Sequence, residues 1–250
     1  MKLNNKVVLV TGANSGIGFA ASLQFAKQKS KVIALDLSAE INPELAKKLS
    51  SLNAQYSYFS CDVSDFSQVK EVFGKILQQF GHLDILVNNA GILGPRQKTE
   101  DYPEDDFDKI VDVNIKGVYY FMKVALAHFS ERKQGVIVNT ASVAGSLGMA
   151  GHIAYSASKH AVMGMTKTAA IEYAKLGIRI NAVCPGFTQT SMLDHADADP
   201  QYKEMIRYST PMKRFGEAGE IADAILFLAS DRSTFITGQG IILDGGLSVQ

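Results

Sequence analysis

The short β-branched runs of this chain are apolar at consecutive positions, and that constrains its fold more than any other feature. Nearly every strand candidate among Val7 to Val10, Lys31 to Leu35, Leu83 to Val87, Val136 to Asn139 and Ile178 to Val183 is an apolar run rather than an in-and-out alternation, Ile178 to Asn181 being the exception. A sheet built from such strands must be covered on both faces. The cover follows in the sequence. Ile17, Ala20, Ala21, Leu23 and Phe25 lie at helical spacing, as do Phe66, Val69, Val72, Phe73 and Ile76 within a helix expected over 65–80. Further helices are expected over about 104–129, 152–175 and 217–229. Tyr56 to Ser60 reads as a weaker third strand and Gln239 to Leu243 as a last short one. Alternating strands and helices with right-handed crossovers imply an α/β fold: a doubly wound, seven-stranded parallel sheet flanked by helices. With 46% hydrophobic residues and no repeat or linker, the 250 residues are expected to form a single domain, 1–250. One polar stretch, 187–214, breaks the rhythm. It contains Pro200 and Pro211 and at most a short helix near 202–208, and its length suggests a lid over a site.

Charge and cysteine usage exclude several functions. Lys plus Arg and Asp plus Glu each number 25, so no net field draws the chain to nucleic acid or anionic lipid. Cys61 and Cys184 are far apart and outside any CxxC pattern, which argues against disulfides and structural zinc. His82, His128, His152, His160 and His195 have no metal-ligand spacing, so no metal is expected. The first apolar run stops at Thr11-Gly12, too short for a signal peptide or a membrane span. The expectation is a cytoplasmic protein with neither membrane nor nucleic-acid partners.

Directly after the first strand comes Thr11-Gly12-Ala13-Asn14-Ser15-Gly16-Ile17-Gly18, opening a helix. Glycines at such a place let a diphosphate approach backbone N–H groups at a helix N-terminus, the arrangement of a Rossmann-type dinucleotide site. Gly12, Asn14, Ser15, Gly16, Ile17 and Gly18 are therefore candidate cofactor contacts. Asp36 ends the second strand, about 20 residues on, where an acid accepts hydrogen bonds from an adenosine ribose and repels a 2′-phosphate. Ser15 and Leu37 stand where a basic side chain would favour that phosphate. NAD is expected over NADP.

Tyr155 and Lys159 are four residues apart on one expected helix and share a face. A neighbouring ammonium lowers a phenol pKa, making Tyr155 a candidate general acid/base. Ser142 follows the fifth strand, at the sheet edge where ligands of open α/β folds bind. Its hydroxyl is suited to hold a substrate oxygen beside Tyr155.

With these elements in order, the chain resembles the classical short-chain dehydrogenase/reductase family from about Lys6 to its C-terminus. Thr11 to Gly18 matches the family's TGxxxGxG turn, and Asn88-Asn89-Ala90-Gly91 its NNAG element. The resemblance implies that Asn114, Ser142, Tyr155 and Lys159 form a catalytic tetrad. It further implies that Asp62 and Val63 touch the adenine, and that Asn89, Ala90 and Gly91 lie beside the adenosine. Pro185, Gly186, Thr188 and Thr190 are implied to line the nicotinamide, with Tyr155 and Lys159 also contacting the cofactor. The activity implied is hydride exchange between NAD(H) and a secondary alcohol or ketone. Lys159 is implied to bind the nicotinamide ribose, and the Asn114 carbonyl to hold a water.

Substrate selection is expected from three loops, 92–98, 143–151 and 187–214, with His152, Leu93 and Leu147 as candidate contacts. They carry few fixed charges apart from Arg96, Lys98 and His152, which suits a neutral or weakly polar substrate. β-Ketoacyl-carrier-protein reductase is the alternative; Asp36 and Leu176, where a basic carrier-docking residue is often found, weigh against it. 3-Hydroxybutyrate dehydrogenase is a weaker rival because Ala144 offers no carboxylate grip. A non-catalytic NAD-binding sensor is the alternative from another class. The family resemblance also implies a homotetramer.

Overall fold

The computed structural model describes residues 2–196 and 200–250; the side chains of residues 194–200 and 202 lie outside that description, His195 among them. Seven strands form one parallel sheet: β1 (Val7–Thr11), β2 (Lys31–Asp36), β3 (Tyr56–Ser60), β4 (Ile85–Asn88), β5 (Gly135–Thr140), β6 (Ile178–Pro185) and β9 (Gly240–Leu243). Their order is β3-β2-β1-β4-β5-β6-β9, and every pairing is parallel. The order reverses between β1 and β4, which opens a crevice at the carboxyl ends of the strands. A pair of two-residue strands, β7 (Thr188–Gln189) and β8 (Gly216–Glu217), lies outside this sheet.

The helices are α1 (Gly16–Lys27), α2 (Pro43–Ser51), α3 (Phe66–Phe80), α4 (Glu104–Ile110), α5 (Gly117–Arg132), α6 (Ile153–Tyr173), α7 (Ser191–Ala196), α8 (Pro200–Ser209) and α9 (Ala218–Ala229). The consecutive apolar strand residues divide between two cores. Val7 and Leu9 pack with Phe73, Phe121 and Phe129 from α3 and α5. Val8 and Val10 pack with Phe25 of α1 and Ile225 of α9 on the other face. Successive side chains point to opposite faces of a strand, so each face meets its own helical layer. β3 is one of the two edge strands and only half-buried, which accounts for its weaker apolar pattern.

Three segments differ from the sequence expectation. The helix α2 was not expected; Asn42 caps it, its Oδ1 accepting from Glu44 N at 2.8 Å, Pro43 follows at the first turn, and Leu45 and Leu49 are buried one turn apart. The single helix expected over 104–129 is two helices joined by a π-helical turn, Val111–Lys116, a local widening common at functional sites. The segment 187–214 holds more structure than one short helix: α7 and α8 occupy much of it, and Ile206 is buried. Residues 197–199 of that segment lie outside the described residues. Among the described residues no helix is long and apolar enough to cross a membrane.

Candidate active site and cofactor cradle

The glycine turn runs from β1 into α1 and cannot carry larger residues. Gly12 and Gly16 have φ of +65° and +51°, the region glycine tolerates best. At Gly18 a Cβ would stand 2.0 Å from the Gly12 carbonyl oxygen and 2.6 Å from Asn89 Nδ2. The turn is fastened to the segment after β4. Thr11 Oγ1 accepts from Asn89 N at 2.9 Å and Ala90 N at 3.0 Å, and Asn89 Nδ2 donates to the carbonyls of Thr11 and Gly12. These bonds hold two strand ends at the point where the sheet order reverses, on either side of the α1 N-terminus.

A cavity of about 840 Å³ opens there, within the range of small-molecule and cofactor sites. Gly12, Ser15, Gly16, Ile17, Asp36, Asp62, Val63, Asn89, Ala90 and Gly91 line it at one end; Ser142, Tyr155, Lys159, Pro185, Gly186, Thr188 and Thr190 line the rest, with Leu93, Leu147 and His152. Three expected site residues do not line it. Gly18 serves packing within the turn. Asn14 is committed elsewhere: its Oδ1 accepts from Asn42 N at 2.8 Å, and its Nδ2 donates to Glu40 O and the Tyr58 hydroxyl. Asn114 sits fully buried behind the cavity wall.

Asp36 has a structural task besides facing the cavity. Its carboxylate accepts from Asn14 N and from Leu37 N, each at 2.9 Å, so it braces the glycine turn. A carboxylate has about four acceptor positions, so both oxygens keep capacity for ligand hydroxyls.

Tyr155 and Lys159 share one face of α6, with the ammonium 5.4 Å from the phenol ring centroid. Lys159 Nζ donates to Thr140 O at 2.9 Å. That carbonyl ends β5, two residues before Ser142, so strand β5 places both the lysine's partner and the serine. The Ser142 hydroxyl neighbours the Tyr155 side chain; its Oγ accepts from Ala144 N at 3.1 Å and donates to Pro185 O at 3.4 Å. Burial decides the electrostatics. It pushes the Tyr155 phenol up, opposed by the nearby Ser142 hydroxyl, and lowers Lys159 to about 8. The expected lowering of the Tyr155 pKa by Lys159 is therefore corrected for this site: both groups lose solvation in their charged forms, and that cost dominates.

Asn114 lies in the π-helical turn. Its side chain accepts from Ile92 N at 2.9 Å and donates to Ile92 O at 2.8 Å and to Ser158 Oγ at 3.1 Å. Ser158 donates in turn to Tyr155 O at 2.7 Å. One buried amide thus ties the loop after β4 to the helix bearing Tyr155. Sequence reasoning did not single out Ser158, Thr140 or Cys61, although Cys61 lines the cavity; partners met only through tertiary contacts leave no spacing signal. Both thiols are buried, which raises Cys61 to about 12 and Cys184 to about 11 and leaves them protonated at neutral pH.

The cradle fits a dinucleotide. A Cβ would fill it at Gly12 and Gly16, meeting Ala90 Cα at 2.9 Å and Thr190 Cγ2 at 3.1 Å, and the N-terminus of the twelve-residue α1 opens beside it. Comparison with known proteins agrees in family and fold. The family model described as enoyl-(acyl carrier protein) reductase matches residues 12–248. The 3-oxoacyl-(acyl-carrier-protein) reductase FabG of Thermotoga maritima is 43% identical over 253 residues, covering 100% of each chain. The crystal structure of a levodione reductase superposes with a TM-score of 0.95 at 35% identity, over 98% of both chains. NADP-bound ElxO (38% identical, TM-score 0.93) and an NAD+-bound xylitol dehydrogenase (32%, 0.93) each cover 98% of this chain and are covered over 100% of their own. The chain belongs to the short-chain dehydrogenase/reductase family.

Proposed function

We propose that the chain interconverts a secondary alcohol and a ketone, with NAD(H) preferred over NADP(H), and that Tyr155 moves the proton at the substrate oxygen. The observation that carries this reading is the Ser142–Tyr155–Lys159 arrangement in the wall of the cavity whose other end is the glycine turn. When bound, the nicotinamide accepts or gives up the hydride. The chain's own residues do the rest. Ser142 Oγ and the Tyr155 hydroxyl, neighbours in the cavity wall, converge on one substrate oxygen and orient it. For reduction the Tyr155 phenol gives its proton to the ketone oxygen and becomes the phenolate; for oxidation the phenolate takes the alcohol proton. Lys159, fixed on Thr140 O, puts a positive charge beside the phenol below about pH 8. Asn114 keeps the loop after β4 and helix α6 in register, and its carbonyl in the widened turn is the proposed water holder.

Asp36 supports NAD, since its carboxylate lines the cavity beside the exposed, uncharged Leu37. The relatives' cofactors divide between NAD+ and NADP, so this residue is the discriminating feature. The similarity to a 3-oxoacyl-(acyl-carrier-protein) reductase favours a second reading, a ketoacyl thioester substrate; Leu176, half-buried, offers an acidic carrier no charge, and exposed Lys133 does. A homotetramer is proposed on the apolar side chains left outside: Phe235 and Ile171 are 103% and 80% exposed, and Ile242 faces outward on edge strand β9. Light scattering tests the assembly. The function is tested by following NADH and NADPH absorbance over a panel of secondary alcohols, ketones and ketoacyl thioesters. Turnover with NAD(H) ahead of NADP(H) is expected; cofactor binding without turnover on any of them would return the chain to the sensor class.

A further inference from the structure

The half of the cavity beyond Tyr155 has an uneven charge. Its wall is apolar and pliable, with Leu93, Met149, Phe187, Met192 and Met205 among its residues. Two permanent cations join them, Arg96 and Lys109, both solvent-accessible. The acids that line the cavity among the described residues are Asp36 and Asp62, at the carboxyl end of β2 and just after β3, on the opposite side of the glycine turn.

Both cations are set in place by their surroundings. Lys109 occupies the last turn of α4, next to buried Ile110, which packs on Ala154 of α6. Of the charges nearby, Lys116 holds Asp112 at 2.6 Å and Lys98 reaches Glu100 at 4.0 Å; Glu104, Asp105, Asp106 and Asp108 share α4 with Lys109, yet Lys109 has no ion pair among the described residues. The stem of Arg96 lies over Gly151. A Cβ at Gly151 would stand 2.8 Å from Arg96 Cγ, its φ is +83°, and Gln97 N donates to Gly151 O at 2.9 Å. Gly151 immediately precedes His152, so Arg96 is seated one turn from the start of the Tyr155 helix.

We infer that the substrate carries an anionic group, such as a carboxylate, separated by a short apolar body from the reacting carbon, and that Arg96 and Lys109 receive that group at the cavity mouth. The inference rests on the alcohol–ketone reading above. It modifies the expectation of a neutral substrate: Ala144 provides no carboxylate grip beside Ser142, and these two cations provide one farther out. A charge at the rim keeps most of its hydration and gains modestly from each cation, about three- to fivefold in kcat/KM.

The test is a series of oxo acids with one to five carbons between ketone and carboxylate, each assayed against its methyl ester with NADH. At the best length the acid is expected to exceed its ester by about tenfold in kcat/KM, through KM. That ratio is expected to shrink as salt rises from 20 to 500 mM, because exposed charges are screened. Arg96→Gln and Lys109→Gln should each lower the acid-to-ester ratio three- to fivefold. Esters used as well as their acids at every length, or variants that reduce both partners equally, would overturn the inference and leave the alcohol–ketone reading intact. Turnover of neither series, with NADH still bound, would instead count against that reading.

Discussion

Lys159 combines full burial with an ammonium, so its removal separates activity from stability. The proposed perturbation is Lys159→Met, which preserves the unbranched stem and deletes the charge. In the unfolded chain the group titrates near 10.5, and in the fold near 8. That gap corresponds to about 3 kcal/mol of destabilisation carried by the native state at pH 7. The variant loses the hydrogen bond to Thr140 O and leaves that carbonyl without its donor, which offsets about 1–2 kcal/mol. A net gain of about 1–2 kcal/mol is expected, or about 2–8 °C in Tm for a domain of this size. The pH dependence follows from the sign of the shift. Between about 8 and 10.5 the unfolded chain binds the proton that the folded protein has released, so the wild-type fold strengthens as pH rises. Below about 8 both states are protonated and the full penalty remains. Thermal unfolding followed by circular dichroism at pH 7, 8, 9 and 10, without cofactor, checks this. The variant's advantage should be largest at pH 7 and decline towards pH 10, with turnover lost throughout. A variant less stable than wild type at pH 7, or an advantage independent of pH, would refute the reasoning.

Asp36→Ala should lower the NADH-to-NADPH ratio of kcat/KM at least tenfold by removing the charge that opposes a 2′-phosphate. Because both carboxylate oxygens brace backbone N–H groups, a stability loss of about 1–2 kcal/mol should accompany it, read from urea midpoints. Gly18→Ala places a methyl group 2.0 Å from the Gly12 carbonyl oxygen. It should cost about 1–3 kcal/mol or more and abolish NADH binding in a fluorescence titration, while Gly164→Ala, with open space around its Cβ position, should do neither.

The sheet was legible because the strands between the two edge strands, β3 and β9, are largely buried on both faces, which removes most polar residues from consecutive positions. The glycine turn and the Tyr155/Lys159 pair were legible because their chemistry depends on fixed short spacings. Where tertiary contacts decide, the sequence was silent. The π-helical turn at Val111–Lys116 depends on Asn114 reaching Ile92 and Ser158, partners 22 and 44 residues away. Asn14 shares the turn with the cradle residues, yet Asn42 and Tyr58 draw its side chain away from the cavity. The helix α2 carries a faint local signal, Asn42-Pro43 before Leu45 and Leu49, in a segment with only two buried apolar residues. The balance at Tyr155 could not be read from spacing at all, because adjacency to Lys159 favours the phenolate while burial opposes it, and only the fold fixes how buried the pair is.

The central claim is that Tyr155 moves the proton at a substrate oxygen in a site built around a nicotinamide cofactor. Tyr155→Phe removes one oxygen and keeps the ring. With NADH affinity measured by fluorescence and turnover by absorbance on the same preparation, binding should stay within about threefold of wild type while kcat falls by at least about a thousandfold, at the strong end of what general acid/base catalysis contributes. Turnover retained within tenfold of wild type would contradict the claim.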